Sequence, residues 1–349
     1  MNKWLFSAPI DLAVFGGTAL VALILVALMP AHEAGTGTFV VGVILVDVAH
    51  VWSTAFIVYL DPAEWRRRPA TYAGVPLACF AAGLALYAWG EGPFWTAIAY
   101  LAVFHFIRQQ YGWVMMYRAR NGERDRVGRM IDGATVYLAT LYPLAWWHAR
   151  LPRAFSWMKD GDFIAGVPRS LATVVGIAYA IALGAYVVRA AWQLATRQSI
   201  SWGKHLIVAT TATCWFVGIV ATNSDYAFTV TNVFTHGIPY MALVYLYARA
   251  ASREPASRGG TTAKLLGKRT IVRGLVVFVA TLWLVAYVEE MLWDRTIWHD
   301  HAGLFGGGLE IGVAAIVIAP LLAVPQLTHY VLDGLLWKRA KNPRLGRLL

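Results

Sequence analysis

VPQLTHYVLDGLLWKR, residues 324–339, sets a histidine and an aspartate four positions apart inside an apolar run that ends in a basic pair. At helical spacing His329 and Asp333 share one face. With its upstream neighbours the run extends over 309–337, and about 20 apolar residues suffice to cross a bilayer. An ionised side chain within hydrocarbon costs about 2.5–3.5 kcal/mol, so this pair is expected to face the interior of a helix bundle.

Composition extends that reading to the whole chain. Of 349 residues 58% are hydrophobic and 14% charged, with a mean hydropathy of +0.54, well outside the soluble globular range. The expected fold class is all-α: a polytopic transmembrane helix bundle, one integral domain over 1–349. A window of about 19 residues finds spans at 8–29, 38–60, 72–90, 94–118, 129–149, 169–194, 205–222, 226–249, 271–291 and 309–337, ten in all. The net charge of +11 lies mostly in EWRRRP, RARNGERDRVGR, TRQSISWGK, ARAASREPASRGGTTAKLLGKR and the tail KRAKNPRLGRLL, alternating with loops that carry few basic residues. The positive-inside rule then puts both termini in the cytoplasm and accounts for the charge without nucleic acid. Cys79 and Cys214 lie in apolar stretches without metal-like spacing, so neither a disulfide framework nor a zinc ribbon is implied. The first apolar stretch lacks a small-residue cleavage site and reads as a span rather than a signal peptide. Arg, Ala and Gly usage points to a bacterial inner membrane.

Depth sorts the nine histidines. His32, His148, His299 and His301 fall in or beside outer loops and His205 opens the seventh span; these five are expected to be solvated. His50, His105, His236 and His329 lie inside spans two, four, eight and ten. They stand 11, 13, 13 and 9 residues from Asp61, Arg118, Arg249 and Lys338 at the cytoplasmic flanks, roughly 14–20 Å at 1.5 Å per residue. Four imidazoles therefore share one layer to within about one helical turn. Each has a polar companion on its own face: Asp47 before His50, Gln109 after His105, Asn232 before His236 and Asp333 after His329. Pro239 and Pro325 each remove a helical hydrogen bond near an imidazole and make room there.

A single intramembrane histidine is ordinarily a helix-to-helix hydrogen-bonding partner. Four at one depth point to metal ligation, and imidazole without thiolate suits iron, copper or zinc. Non-haem Fe(II) is the first expectation, as one mononuclear centre, because the chain lacks the paired HxxxH and HxxHH clusters of membrane di-iron enzymes. His50, His105, His236 and His329 are the expected metal ligands. Asp47, Gln109, Asn232 and Asp333 support the cofactor, the two aspartates as acceptors that orient imidazoles or as ligands themselves. Arg108 lies about 15 Å from its helix end, too deep to snorkel; a salt bridge to Asp47 or Asp333, or a substrate contact, is expected. Arg108 and Tyr240 are the candidates for orienting a lipophilic substrate drawn from the membrane lipids. Trp113, Trp293, Trp298 and Trp337 read as belt aromatics. The alternatives are a b-type cytochrome, with haem b clamped by two of the histidines, and a proton-coupled transporter using the His/Asp/Arg belt. The sequence leaves open any electron donor.

FHF around His105 and PQLTHYVLDGLLW around His329, with isolated histidines in other apolar helices, resemble the Brp/Blh family of bacterial membrane β-carotene 15,15'-dioxygenases. The resemblance implies a polytopic fold, four essential histidines holding iron, and oxidative cleavage of a carotenoid to retinal. It bears most directly on His105 and His329. In that family a late helix carries two histidines four residues apart, where this chain has Asn232 and His236.

Overall fold

A computed structural model describes residues 4–29, 34–338, 342 and 344–348. The chain is 79% helical, with no strand among the described residues. Among the described residues ten long helices fall where spans were expected: α1 Ala8–Leu28, α2 Thr36–Val58, α3 Pro69–Trp89, α4 Glu91–Arg120, α5 Arg126–His148, α6 Arg169–Ala195, α7 Trp202–Ala221, α8 at 225–251, α9 Ile271–Trp298 and α10 Gly312–Leu336. Seven of these, α1–α3, α6, α7, α9 and α10, are long and apolar enough to cross a membrane, the set expected of a multi-pass membrane protein. The other three do not reach that combination. Two of them, α4 and α8, carry His105 with Arg108 and Gln109, and Asn232 with His236. The candidate site residues are thus part of what lowers the apolarity of their own helices.

Local chemistry sets the helix ends. Asp125 caps α5 by accepting from the Gly128 N–H at 2.5 Å, and Thr270 caps α9 by accepting from Arg273 N–H at 3.3 Å, as side-chain oxygens at N-caps do. Gly90, at a φ of 159° that favours glycine, separates α3 from α4.

The helices sort into two compact units, each assembled from two stretches of sequence. One takes residues 1–34 and 99–236. Its apolar core surrounds Trp147, whose ring lies 4.5 Å from Phe155, 4.9 Å from Phe163 and 5.3 Å from Phe228. The 150–168 segment, expected as an interfacial loop, therefore folds its aromatic side chains onto α5. Within it the Asp162 carboxylate accepts from the N–H groups of Trp157, Met158 and Lys159 at 3.0, 2.6 and 3.2 Å. Burial still holds that carboxyl above its ordinary range. An ion cluster ties α4, α5 and α7: buried Asp132 pairs with Arg118 and, at 3.0 Å, with Lys204. Glu123 joins at 3.0 Å from Arg118 and 2.5 Å from Lys204. Helix α6 leaves Leu171, Val174, Ile177, Ile181 and Val188 exposed, an apolar stripe that hydrocarbon solvates and water does not.

The other unit takes residues 35–98 and 237–349. Phe56, Tyr72, Tyr245, Phe278 and Leu332 are among its buried core. At one end Arg344 gathers Asp61 at 3.0 Å and Glu254 at 2.8 Å. Two close helix approaches need glycine: a Cβ on Gly83 of α3 would lie 3.1 Å from Pro320 Cβ of α10, and one on Gly237 of α8 only 2.7 Å from Val46 of α2.

Gly237→Ala is therefore expected to lower the melting temperature of the detergent-purified protein, overpacking costing about 1–3 kcal/mol. That outweighs the gain in helix propensity of about 1 kcal/mol. Gly184→Ala, in open space on α6, keeps the gain; equal melting temperatures for the two variants would remove the packing argument.

Candidate metal centre

The second unit brings His50 of α2 and His329 of α10 together. Helix α2 winds in wide i→i+5 turns over Phe39–Val48 and tightens to α-helical winding over Ala49–Val58, a change of pitch often found at functional sites. It falls between Asp47 and His50. Both imidazoles are 1% exposed, and their rings meet edge to face at 4.9 Å and 80°. A ring nitrogen of each lies within 4.8 Å of the other's. Two nitrogens bound to one ion at about 2.0–2.1 Å each stand at most about 4 Å apart, so a small ring rotation brings this pair into ligating range.

The hydrogen bonds around His329 form a directed chain. Its Nδ1 lies 2.8 Å from Thr54 Oγ1, Thr54 Oγ1 lies 3.2 Å from the Tyr240 hydroxyl, and Tyr240 donates to Asp333 Oδ1. The carboxylate accepts only, and each hydroxyl has one proton to give. The consistent assignment runs from His329 Nδ1–H to Thr54, from Thr54 to Tyr240, and from Tyr240 to Asp333. That places the ring proton on Nδ1 and leaves Nε2 with its lone pair, the tautomer a metal requires. Trp337 Nε1 adds a donor to Asp333 Oδ1 at 3.1 Å. On the other ring, His50 Nδ1 faces Asp47 Oδ1 at 3.5 Å.

The first unit holds the second pair. His105 of α4 and His236 of α8 meet edge to face at 5.0 Å and 80°, and both are buried. Phe106 stacks flat on His236 at 3.5 Å and 6°, fixing the plane of that ring. Here too wide turns, over Thr229–Val233, end just before the histidine. Gln109 Nε2 donates to the His236 carbonyl at 3.3 Å, and Asn232 Nδ2 to the Phe228 carbonyl at 3.1 Å. The opposite ends of these amides, Gln109 Oε1 and Asn232 Oδ1, are buried acceptors without a hydrogen-bond donor. Such atoms are uncommon and suit a site that takes a polar or cationic guest.

Other expectations are revised. Arg108, expected at a carboxylate or substrate, donates to the Tyr137 hydroxyl and sits 5.0 Å over the Tyr111 ring. Trp113 and Trp293, read as belt aromatics, are buried, and Trp337 serves Asp333. Of the histidines expected in solvent, His299 is exposed at a φ of 62°. His148 uses both nitrogens, on Leu144 O at 2.7 Å and the Tyr100 hydroxyl at 2.8 Å. His205 meets Tyr186 at 2.6 Å, and His301 stacks on Phe39 at 3.7 Å. His32 lies outside the described residues. Thr54 was not anticipated, although it follows His50 by four positions and the same spacing rule would have found it. Glu289 and Glu290, buried within α9, were also passed over; Trp52, two residues after His50, donates to Glu289.

Fold and site together define a multi-helix protein of membrane type with two buried histidine pairs, each backed by polar side chains. No protein-family model, curated protein or solved structure matches the chain.

If Tyr240 carries the chain from Thr54 to Asp333, Tyr240→Phe leaves a largely buried carboxylate short of a donor and destabilises by about 1–3 kcal/mol. Tyr287→Phe, which removes an exposed hydroxyl bonded to Leu304 O, is expected to stay within about 0.5 kcal/mol. Thermal unfolding in detergent compares them, and similar shifts would count against the directed chain.

Proposed function

We propose that the protein is a membrane-embedded non-haem iron oxygenase acting on a lipophilic substrate with dioxygen. In this reading it spans a bacterial inner membrane ten times with both termini in the cytoplasm. The observation that carries it is the buried, edge-to-face His50–His329 pair, with Thr54 on His329 Nδ1. His105 and His236 are the further ligands that shared depth in the sequence calls for. Asp47 and Asp333 orient the imidazoles, and Gln109 and Asn232 offer buried acceptors beside the second pair. When bound, Fe(II) supplies activation of dioxygen towards a C=C or C–H bond. Tyr240 holds the hydrogen-bond chain from Thr54 to Asp333, and Arg108 offers a cation at the same depth. The resemblance to the Brp/Blh family makes carotenoids the first compounds to assay.

A haem clamp has less support, because within each pair the rings touch edge to face at 4.9 and 5.0 Å and leave no width for a macrocycle between them. One observation favours a second reading: the buried Glu289 and Glu290 and the half-buried Asp47 lie within electrostatic range of one another, as in a proton-coupled transporter.

Metal analysis and an absorption spectrum of detergent-purified protein separate the readings. Iron without a Soret band is expected, lost in His329→Ala and His105→Ala and retained in His299→Ala. A Soret band indicates the cytochrome and metal-free protein the transporter, while normal iron in both histidine variants refutes the ligand assignment. Thr54→Val is expected to weaken metal affinity by about 10–100-fold, as loss of a group orienting a ligand does.

A further inference from the structure

Beside His329 the second unit contains a cavity of about 210 Å³. Its wall combines a stripe of α2, including Trp52 and Ala55, with Pro76 of α3 and the turn of α10 that carries Pro325, Thr328 and His329. The physical origin of the space is local. Helix α10 breaks at Ala323, between Ala315–Leu322 and Val324–Leu336, and Pro325 just after the break cannot continue the hydrogen-bond ladder. Opposite stands Ala55, whose methyl leaves the gap unfilled.

We infer that this cavity receives the hydrocarbon end of a membrane-dissolved lipid, which enters tail-first and comes to rest against His329. Three observations fix the occupant. The wall is apolar and offers few polar atoms: Thr54 and His329 bond one another at 2.8 Å, and the buried Thr328 hydroxyl is, among the described residues, the one wall group without a hydrogen-bond partner. A charged head group would find a single hydroxyl there in exchange for its hydration shell and would be left largely unsatisfied. The cavity also reaches the surface, since its wall residue Tyr59 is 39% exposed and Leu77, next to Pro76, is 70% exposed. On spans this apolar the surrounding medium is acyl chain, so what stands at the mouth is hydrocarbon. Size then limits how much enters. Pockets that enclose a whole drug-sized ligand hold about 300–1,000 Å³, so this one takes the last few carbons of a long chain and leaves the rest in the bilayer. Resting on the oxygenase reading, this places the reacting carbon near the inserted terminus of the substrate rather than at its midpoint.

Photo-crosslinking of the purified full-length protein tests this with two fatty acid probes, palmitate carrying a diazirine near the methyl end and palmitate carrying it near the carboxyl end. Peptide mapping after irradiation is expected to concentrate adducts of the methyl-end probe in segments 51–59 and 324–329, with few from the carboxyl-end probe. Ala55→Trp, which fills the space from α2, should reduce them on the order of tenfold, corresponding to about 1.4 kcal/mol of lost binding. Thr328→Leu fills it from α10 and serves if the tryptophan variant does not fold. Equal labelling by both probes, or adducts in those segments undiminished by both filling variants, overturns the inference. His329→Ala separates the two readings, because it removes a proposed iron ligand while it enlarges the cavity, with loss of the Thr54 hydrogen bond. Labelling that persists there while wild-type protein contains no iron sinks the oxygenase and leaves the tail site standing. Iron in the wild type with adducts spread evenly over exposed α6 residues does the reverse.

Discussion

An imidazole shut between apolar helices must have its N–H satisfied, because an unbonded polar group there costs several times what a made hydrogen bond returns. His329 meets this constraint with Thr54, Thr54 with Tyr240, and Tyr240 with Asp333, and the geometry of the second unit is arranged around that sequence of donors. The chain links α2, α8 and α10 by polar contacts and sets the tautomer of His329. Replacing any member leaves a neighbour with a proton to give or a lone pair to fill. For that reason the metal-ready state of His329 and the packing of three helices cannot be separated.

The same constraint governs the charged residues. Asp132 is fully buried, yet Arg118 and Lys204 both reach it, and Arg344 meets Asp61 and Glu254 in the other unit. Buried ions tolerate burial only with geometry of this kind, and losing one partner strands the rest. These clusters hold helix ends in register. The histidine pairs, by contrast, sit among aromatic rings and hydroxyls, with one carboxylate 3.5 Å from His50 Nδ1 and another 3.9 Å from His329 Nδ1.

Pitch and proline shape the surroundings. Wide turns precede both His50 and His236, and they rotate the following residues relative to a regular helix, so Asp47 and Asn232 do not stand quite where a 3.6-residue period puts them. The break at Ala323 opens the apolar space beside His329, so an imidazole engaged at Nδ1 is also one that a lipid chain can approach.

The all-helical class and the positions of the long helices were legible in the sequence, as was the nearness of Asp47 to His50 and of Asp333 to His329, because all follow from local rules. Gln109 and Asn232 instead donate to the His236 and Phe228 carbonyls. Shared depth singled out the same four imidazoles that occur as two pairs in the structure. Which histidine meets which was not legible. Neither was the role of Trp337, which looked like an interfacial aromatic until its indole N–H was found on Asp333, nor the pairing of Trp52 with Glu289. Arg108 likewise turned to Tyr137, a choice made by the packing of α4 against α5. Sequence by itself determined which faces carry polar groups, since a helix repeats the same geometry wherever it sits. Only tertiary structure decided how those faces are matched, because contacts between helices depend on side-chain volumes, on glycines such as Gly237 and on breaks such as that at Ala323, none of which a one-dimensional period encodes.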